Sequence, residues 1–186
     1  EIQRYFLHRI HDLHPIMFSM RRMQKPIVAK VRGAAAGAGV FLASVCDLVI
    51  AEEDFFTLAY CHIGTTPDGP SSFHLPRAIG IKRTLEMTLL GDRYTARQMS
   101  DMGLVNFVVA PGDLEQESHN LVQRLAHGPT HVYGMAKKLM YRSLENEFES
   151  QLQLESECFA DCAGRDDYRE GMAAFVEKRK ASFTGK

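Results

Sequence analysis

The chain has 186 residues, enough for one sizeable core, and its 45% hydrophobic and 24% charged content is that of an ordinary globular protein. A formal charge of -1 argues against a nucleic-acid or anionic-membrane surface, and no apolar run approaches the roughly 18 residues of a spanning helix. Cysteines at 46, 61, 158 and 162 form no C-x-x-C pair, which suggests a reducing, cytoplasmic setting, and no His or further Cys completes a tetrahedral metal set around Cys158 and Cys162.

In chain order, Ile2, Phe6, Ile10 and Leu13 recur at helical spacing until Pro15 interrupts, and a second helical piece runs over 16–23. Lys25-Pro26 breaks it, Ile27 to Val31 reads as a strand, and Gly33-Ala-Ala-Ala-Gly37-Ala-Gly39 leads into a helix through Val40 to Cys46. Leu48 to Ala51 is a buried strand, Glu52 to Asp54 its turn, and Phe55 to Leu58 a short third strand. Asp47, Glu52, Glu53 and Asp54 read as a solvent-facing cluster at the strand ends. Ser71-Ser72 can cap a helix that Pro76 must disturb, Ile81 to Leu89 forms another stopped by Gly91, and Thr95 caps a short one ending at Gly103. Leu104 to Val109 is the last strand. Helices follow at 114–126, 130–142, roughly 144–162 and 166–180, separated by His-Gly-Pro and Ala-Gly. The division expected is an α/β core over 1–113 and a helical region over 114–186.

The glycine tract demands a physical reason. Its glycines at 33, 37 and 39, with no following Lys, fit neither G-x-G-x-x-G nor the phosphate P-loop. Two readings remain: small residues packing a helix closely on a sheet, or a backbone N–H near Ala38, at a helix N-terminus, aimed at a developing negative oxygen.

The run from Lys25 through Gly39, then Cys46-Asp47-Leu-Val-Ile-Ala51, then Phe56-Thr-Leu-Ala-Tyr-Cys-His-Ile-Gly-Thr-Thr-Pro-Asp-Gly69, resembles the crotonase superfamily, the enoyl-CoA hydratases and isomerases. Gly91-Asp-Arg-Tyr-Thr-Ala-Arg97 and the ending from Arg169 to Lys180 resemble it in the same order. The resemblance implies a spiral of strand-strand-helix units, a C-terminal helical trimerisation region, a homotrimer or dimer of trimers, and an acyl-CoA thioester as substrate with no separate cofactor. It also implies several strands and a loop of the form A-x-x-A-G-x-D ahead of the first helix, which supply the first oxyanion donor.

The resemblance puts the second oxyanion donor at the amide of Ala38. The two glutamates by which the hydratases add water map onto Phe41 and Tyr60, or Cys61 if the register slips by one. Neither Phe nor Tyr matches a carboxylate, since Phe takes no proton and a free Tyr titrates near 10. The chain is thus closest to isomerase-like members lacking that pair. Asp68 is the carboxylate that remains, matching an Asp that some isomerases use to shuttle a proton; Pro67-Asp68-Gly69 is equally a turn sequence. Gly37, Phe41, Tyr60, Gly64 and Pro67 are the substrate-binding positions implied, with Phe175 and Lys178 lining the CoA pocket of a neighbouring subunit. The plain reading of Lys178-Arg179-Lys180 is a solvated helix end. Three functions stay open: double-bond isomerisation, hydration of a 2-enoyl-CoA, and a catalytically silent binding or assembly subunit.

Overall fold

A computed structural model describes all residues, 1–186. Contacts group the chain into two compact units: 1–21 with 27–119, and 22–26 with 120–186.

The first unit is α/β. Its elements are α1 (Ile2–Arg22), β1 (Val28–Val31), β2 (Ala35–Ala36), α2 (Ala38–Val45), β3 (Leu48–Glu52), β4 (Phe55–Thr57), a 3-10 turn (Ala59–Ile63), α3 (Ser71–Ile79), α4 (Ile81–Leu90), β5 (Tyr94–Thr95), α5 (Ala96–Met102) and β6 (Phe107–Val109). Strands β1, β3 and β6 form a parallel sheet in that order, with Val28 opposite Leu48 and Ile50 opposite Phe107. A second sheet, β2-β4-β5, is parallel between β2 and β4 and antiparallel between β4 and β5. Val40, Val49, Phe56, Leu58, Leu75, Met87 and Met99 are almost fully buried between these layers. Each parallel strand therefore needs a crossover, and the helices α2, α3 and α4 supply covering faces.

Helix α1 runs unbroken through Pro15. The expected interruption does not occur because Leu13, Met17 and Met20 keep one face at helical spacing and pack with Phe41 and Val45. Pro15 and His11 are solvent-exposed, so water can satisfy the carbonyl that Pro15 leaves unpaired. Pro76 likewise lies inside α3 without ending it. Neither Ser71 nor Ser72 caps that helix: the N-cap position is Pro70, and the Ser71 hydroxyl donates instead to the Asp68 carbonyl at 3.0 Å. The Thr95 cap is present as a full capping box with Gln98. The last strand is shorter than expected, starting at Phe107, because Leu104 and Val105 serve the core and Asn106 spends its side chain on the Val49 N–H.

The acidic cluster after α2 is structural. Asp47 accepts the Ile27 N–H at 2.7 Å, Asp54 accepts the Phe55 N–H, and Glu52 accepts the Gly112 N–H at 3.2 Å while facing Arg32 at 3.8 Å. Only Glu53 of the four is exposed; the other three are half-buried.

Helix α6 (Leu114–Ala126) begins in the first unit, where Leu114 is fully buried and Glu115 pairs with Lys30 and Arg32. The second unit holds the rest of α6 with α7 (Thr130–Ser143), α8 (Phe148–Ala163) and α9 (Asp166–Glu177). Helix α8 starts at Phe148 rather than near 144 because Leu144 closes α7. Helix α9 stops at Glu177, not 180: Lys178 takes a left-handed conformation, and Arg179 turns back to pair with Glu170 and Glu177. The basic run is thus a chain reversal held by ion pairs, with Glu170 lowered to about 2 chiefly by its hydrogen bond from Arg179.

Candidate active site

The segment Ala35-Ala36-Gly37-Ala38 changes from strand to helix with no intervening loop, which only glycine permits at its corner. Gly37 has φ 49° and ψ -107°, outside the range of L side chains, and the Tyr60 ring stands 3.4 Å from where a methyl group would sit. The Gly37 N–H bonds the Thr57 carbonyl at 3.0 Å, and the N–H groups of Val40 and Phe41 return to the Gly37 carbonyl. The N–H of Ala38, first in the helix, is left with no acceptor in the chain and lies on an exposed residue.

One turn into α2, Phe41 is 3% exposed and packs with Met17 and Val45. Its ring also meets the loop after the 3-10 turn: a methyl group at Gly69, whose φ is +57°, would lie 2.9 Å from it. The Asp68–Gly69 corner is therefore seated on Phe41.

Tyr60 comes from the 3-10 turn, closed by Gly64 in the left-handed conformation. Its hydroxyl donates to Asp68 Oδ1 at 2.5 Å. Burial first, then the hydrogen bond and charge of Asp68, hold the Tyr60 phenol well above its ordinary value of 10, so it stays protonated and donating. Behind it, the Thr57 hydroxyl donates to the Gly91 carbonyl at 2.9 Å, and His62 Nε2 lies 3.3 Å from the same oxygen.

The fold thus brings together Gly37, Ala38, Phe41, Tyr60 and Asp68. Half-buried Pro67 precedes Asp68 in the chain, and Gly64 only shapes the turn that carries Tyr60. Phe175 and Lys178 belong to the second unit, where Phe175 is 80% exposed and Lys178 is the reversal residue. Two features escaped sequence reading. The Tyr60–Asp68 bond joins residues eight positions apart across the end of a 3-10 turn and a loop, a spacing without a periodic signal, and Gly69, besides its turn conformation, makes room for Phe41.

A spiral of parallel strands and crossover helices followed by a helical unit is the architecture of a crotonase-type protein. Residues 11–186 match the family model for enoyl-CoA hydratase/isomerase. The probable enoyl-CoA hydratase of Rhodobacter capsulatus is 35% identical over 176 residues, which are 94% of this chain and 68% of that one. The 1,2-epoxyphenylacetyl-CoA isomerase of Escherichia coli is 36% identical over 175 residues, 93% of this chain and 66% of that one. The solved enoyl-CoA hydratase subunit I of Geobacillus kaustophilus superposes with a TM-score of 0.91 at 32% identity, covering 100% of this chain and 71% of that one. The chain belongs to the enoyl-CoA hydratase/isomerase family, and it spans about two thirds of the length of the curated relatives it matches. No helix is long and apolar enough to cross a membrane.

Proposed function

We propose that this chain moves a carbon–carbon double bond along an enoyl-CoA, with Asp68 as the proton carrier and the Ala38 N–H as an oxyanion donor. The observation that carries this reading is the convergence of the exposed Ala38 amide and Asp68, through Tyr60, at the start of α2.

The thioester carbonyl accepts a hydrogen bond from Ala38, so that loss of a proton at C2 of a 3-enoyl chain leaves an enolate rather than a naked carbanion. One such donor is worth about 3 to 4 kcal/mol of barrier. Asp68 takes the C2 proton and returns it at C4; the C3–C4 double bond becomes C2–C3, and no atom is gained or lost. A single carboxylate suffices, because the same group is base and then acid.

Hydration is the second reading, favoured by relatives named as hydratases. It requires groups that hold and deprotonate water, and the two positions that the resemblance assigns to them carry a ring buried against Met17 and a phenol already committed to Asp68. A silent acyl-CoA-binding or assembly subunit is the third. Only the substrate's own CoA is required, without a further cofactor; Gly37, Phe41 and Pro67 border the acyl end, Gly64 shapes the turn beside it, and Phe175 and Lys178 meet the CoA of a neighbouring subunit in a cytoplasmic homotrimer or dimer of trimers. Purified protein incubated with 3-enoyl-CoA and, separately, 2-enoyl-CoA distinguishes the three. Conversion of the 3-enoyl isomer without water uptake is expected; consumption of the 2-enoyl substrate alone would mean hydration, and CoA binding without either would mean the silent subunit.

A further inference from the structure

Asp68 has two carboxylate oxygens in different surroundings. Oδ1 receives the Tyr60 hydroxyl at 2.5 Å. Oδ2 takes no hydrogen bond from the chain, and since no side-chain oxygen is both buried and unpartnered, it is not sealed from solvent. The backbone on either side is fixed as well. The Ser71 hydroxyl donates to the Asp68 carbonyl at 3.0 Å, and Gly69 lies against the Phe41 ring. The Tyr60 hydroxyl also stands 3.4 Å from where a methyl group on Gly37 would sit, the residue just before the oxyanion amide, so one phenol lies near both halves of the site.

We infer that Tyr60 is a positioning residue: its hydroxyl pins Oδ1 of Asp68 and leaves Oδ2 as the oxygen that exchanges protons with substrate. The inference rests on the reading of Asp68 as proton carrier. A carboxylate on a Pro-Asp-Gly turn can otherwise swing about its side-chain torsions, the last of which is broad for Asp, and each misdirected orientation is lost turnover. The phenol contributes a charge-assisted hydrogen bond that narrows that swing, so that whichever oxygen it holds, the other faces one direction. Burial keeps Tyr60 protonated, so it remains a donor across the working pH range and does not itself carry the proton. The division of labour is therefore fixed by chemistry: the phenol orients, the carboxylate transfers.

The test uses the full chain and three proteins: wild type, Tyr60→Phe and Asp68→Asn. Tyr60→Phe removes one oxygen and keeps the ring against Gly37, so the fold is expected to survive. Turnover should fall by about 10-fold or more, the worth of a hydrogen bond to a charged group, with KM nearly unchanged because the phenol does not hold the CoA. Proton NMR gives a readout independent of activity: the hydrogen-bonded Tyr60 hydroxyl proton, identified by its loss in Tyr60→Phe, should move upfield in Asp68→Asn as its acceptor loses charge. If Asp68→Asn is inactive but Tyr60→Phe turns over within about twofold of wild type, well short of that loss, the positioning role is overturned and the base survives. If Asp68→Asn stays active, the base reading is what fails, while the hydroxyl resonance still reports whether the pair exists. An unchanged Tyr60 hydroxyl resonance in Asp68→Asn overturns the pair itself.

Discussion

The Phe41 ring occupies the space that a side chain at residue 69 would need. A methyl group there would sit 2.9 Å from two ring atoms, and the backbone of Gly69 is already at φ +57°. Strain and overlap act together, because Phe41 is locked between Met17 and Val45 and has nowhere to go. Gly69→Ala should therefore lower stability by about 1 to 3 kcal/mol in urea denaturation and displace Asp68 enough to cost isomerase turnover. A variant with wild-type midpoint and turnover would show that the loop slides freely over the ring.

Asp68→Asn keeps the size of the side chain and most of its turn-forming hydrogen bonding while removing its capacity to accept a proton. Isomerisation should drop by about 100-fold to 10,000-fold, with melting temperature and CoA affinity near wild type. Retention of more than about a tenth of wild-type turnover, far above that expected loss, would end the mechanism proposed above.

His74 gives the α/β unit a pH dependence. Burial first, then the charges of Arg21 and Arg77, lower it from 6.5 to about 4. Between those values the unfolded chain holds a proton at His74 that the folded chain refuses, so its contribution is fully present above pH 6.5 and is lost as the pH falls toward 4. Melting temperature measured from pH 7 to pH 4 should fall more steeply for wild type than for His74→Gln. Parallel curves would assign the decline to other groups.

The end of the chain is fastened to α9 by carboxylates. Asp167, 4% exposed, accepts the N–H groups of Thr184 at 2.7 Å and Gly185 at 2.9 Å, while Glu170 accepts the Ser182 N–H at 2.8 Å. Asp167→Ala leaves those donors unpaired, and fraying restores them to water more cheaply than burying them. Hydrogen exchange should then lose protection at residues 184–186 while the α/β unit is unaffected. Persisting protection in the variant would mean that Phe183, whose ring would lie 3.6 Å from a methyl group at Gly171, is the true anchor.

Phe148, Phe159, Phe175 and Val176 are each at least 69% exposed, an apolar surface that water disfavours. Light scattering on the purified chain is expected to give a trimer or a multiple of it, and Phe175→Glu to shift that equilibrium toward monomer. A clean monomer at micromolar concentration would refute the assembly proposed.

The amino-acid sequence by itself determined most helices and the strands β1, β3, β4 and β6 in their order, but not β2, β5 or the 3-10 turn, which are too short to carry a period. Apolar periodicity marks α2, β3 and α4, Gly91 ends α4 in a left-handed C-cap, and Thr95 with Gln98 writes the capping box of α5, because each of these depends on neighbours a few residues away. The glycine tract pointed to the amide near Ala38, and the family resemblance to Phe41, Tyr60 and Asp68. Only the tertiary structure decided where local rules yield. Pro15 does not break α1 because Met17 and Met20 find partners on α2, and Asp47 and Glu52 are spent on backbone N–H groups rather than solvent. It alone decided, too, that Tyr60 meets Asp68 and that Phe41 lies beneath Gly69. Those contacts join a helix, a 3-10 turn and an irregular loop, and no one-dimensional period relates residues whose proximity is set by how the chain between them folds back.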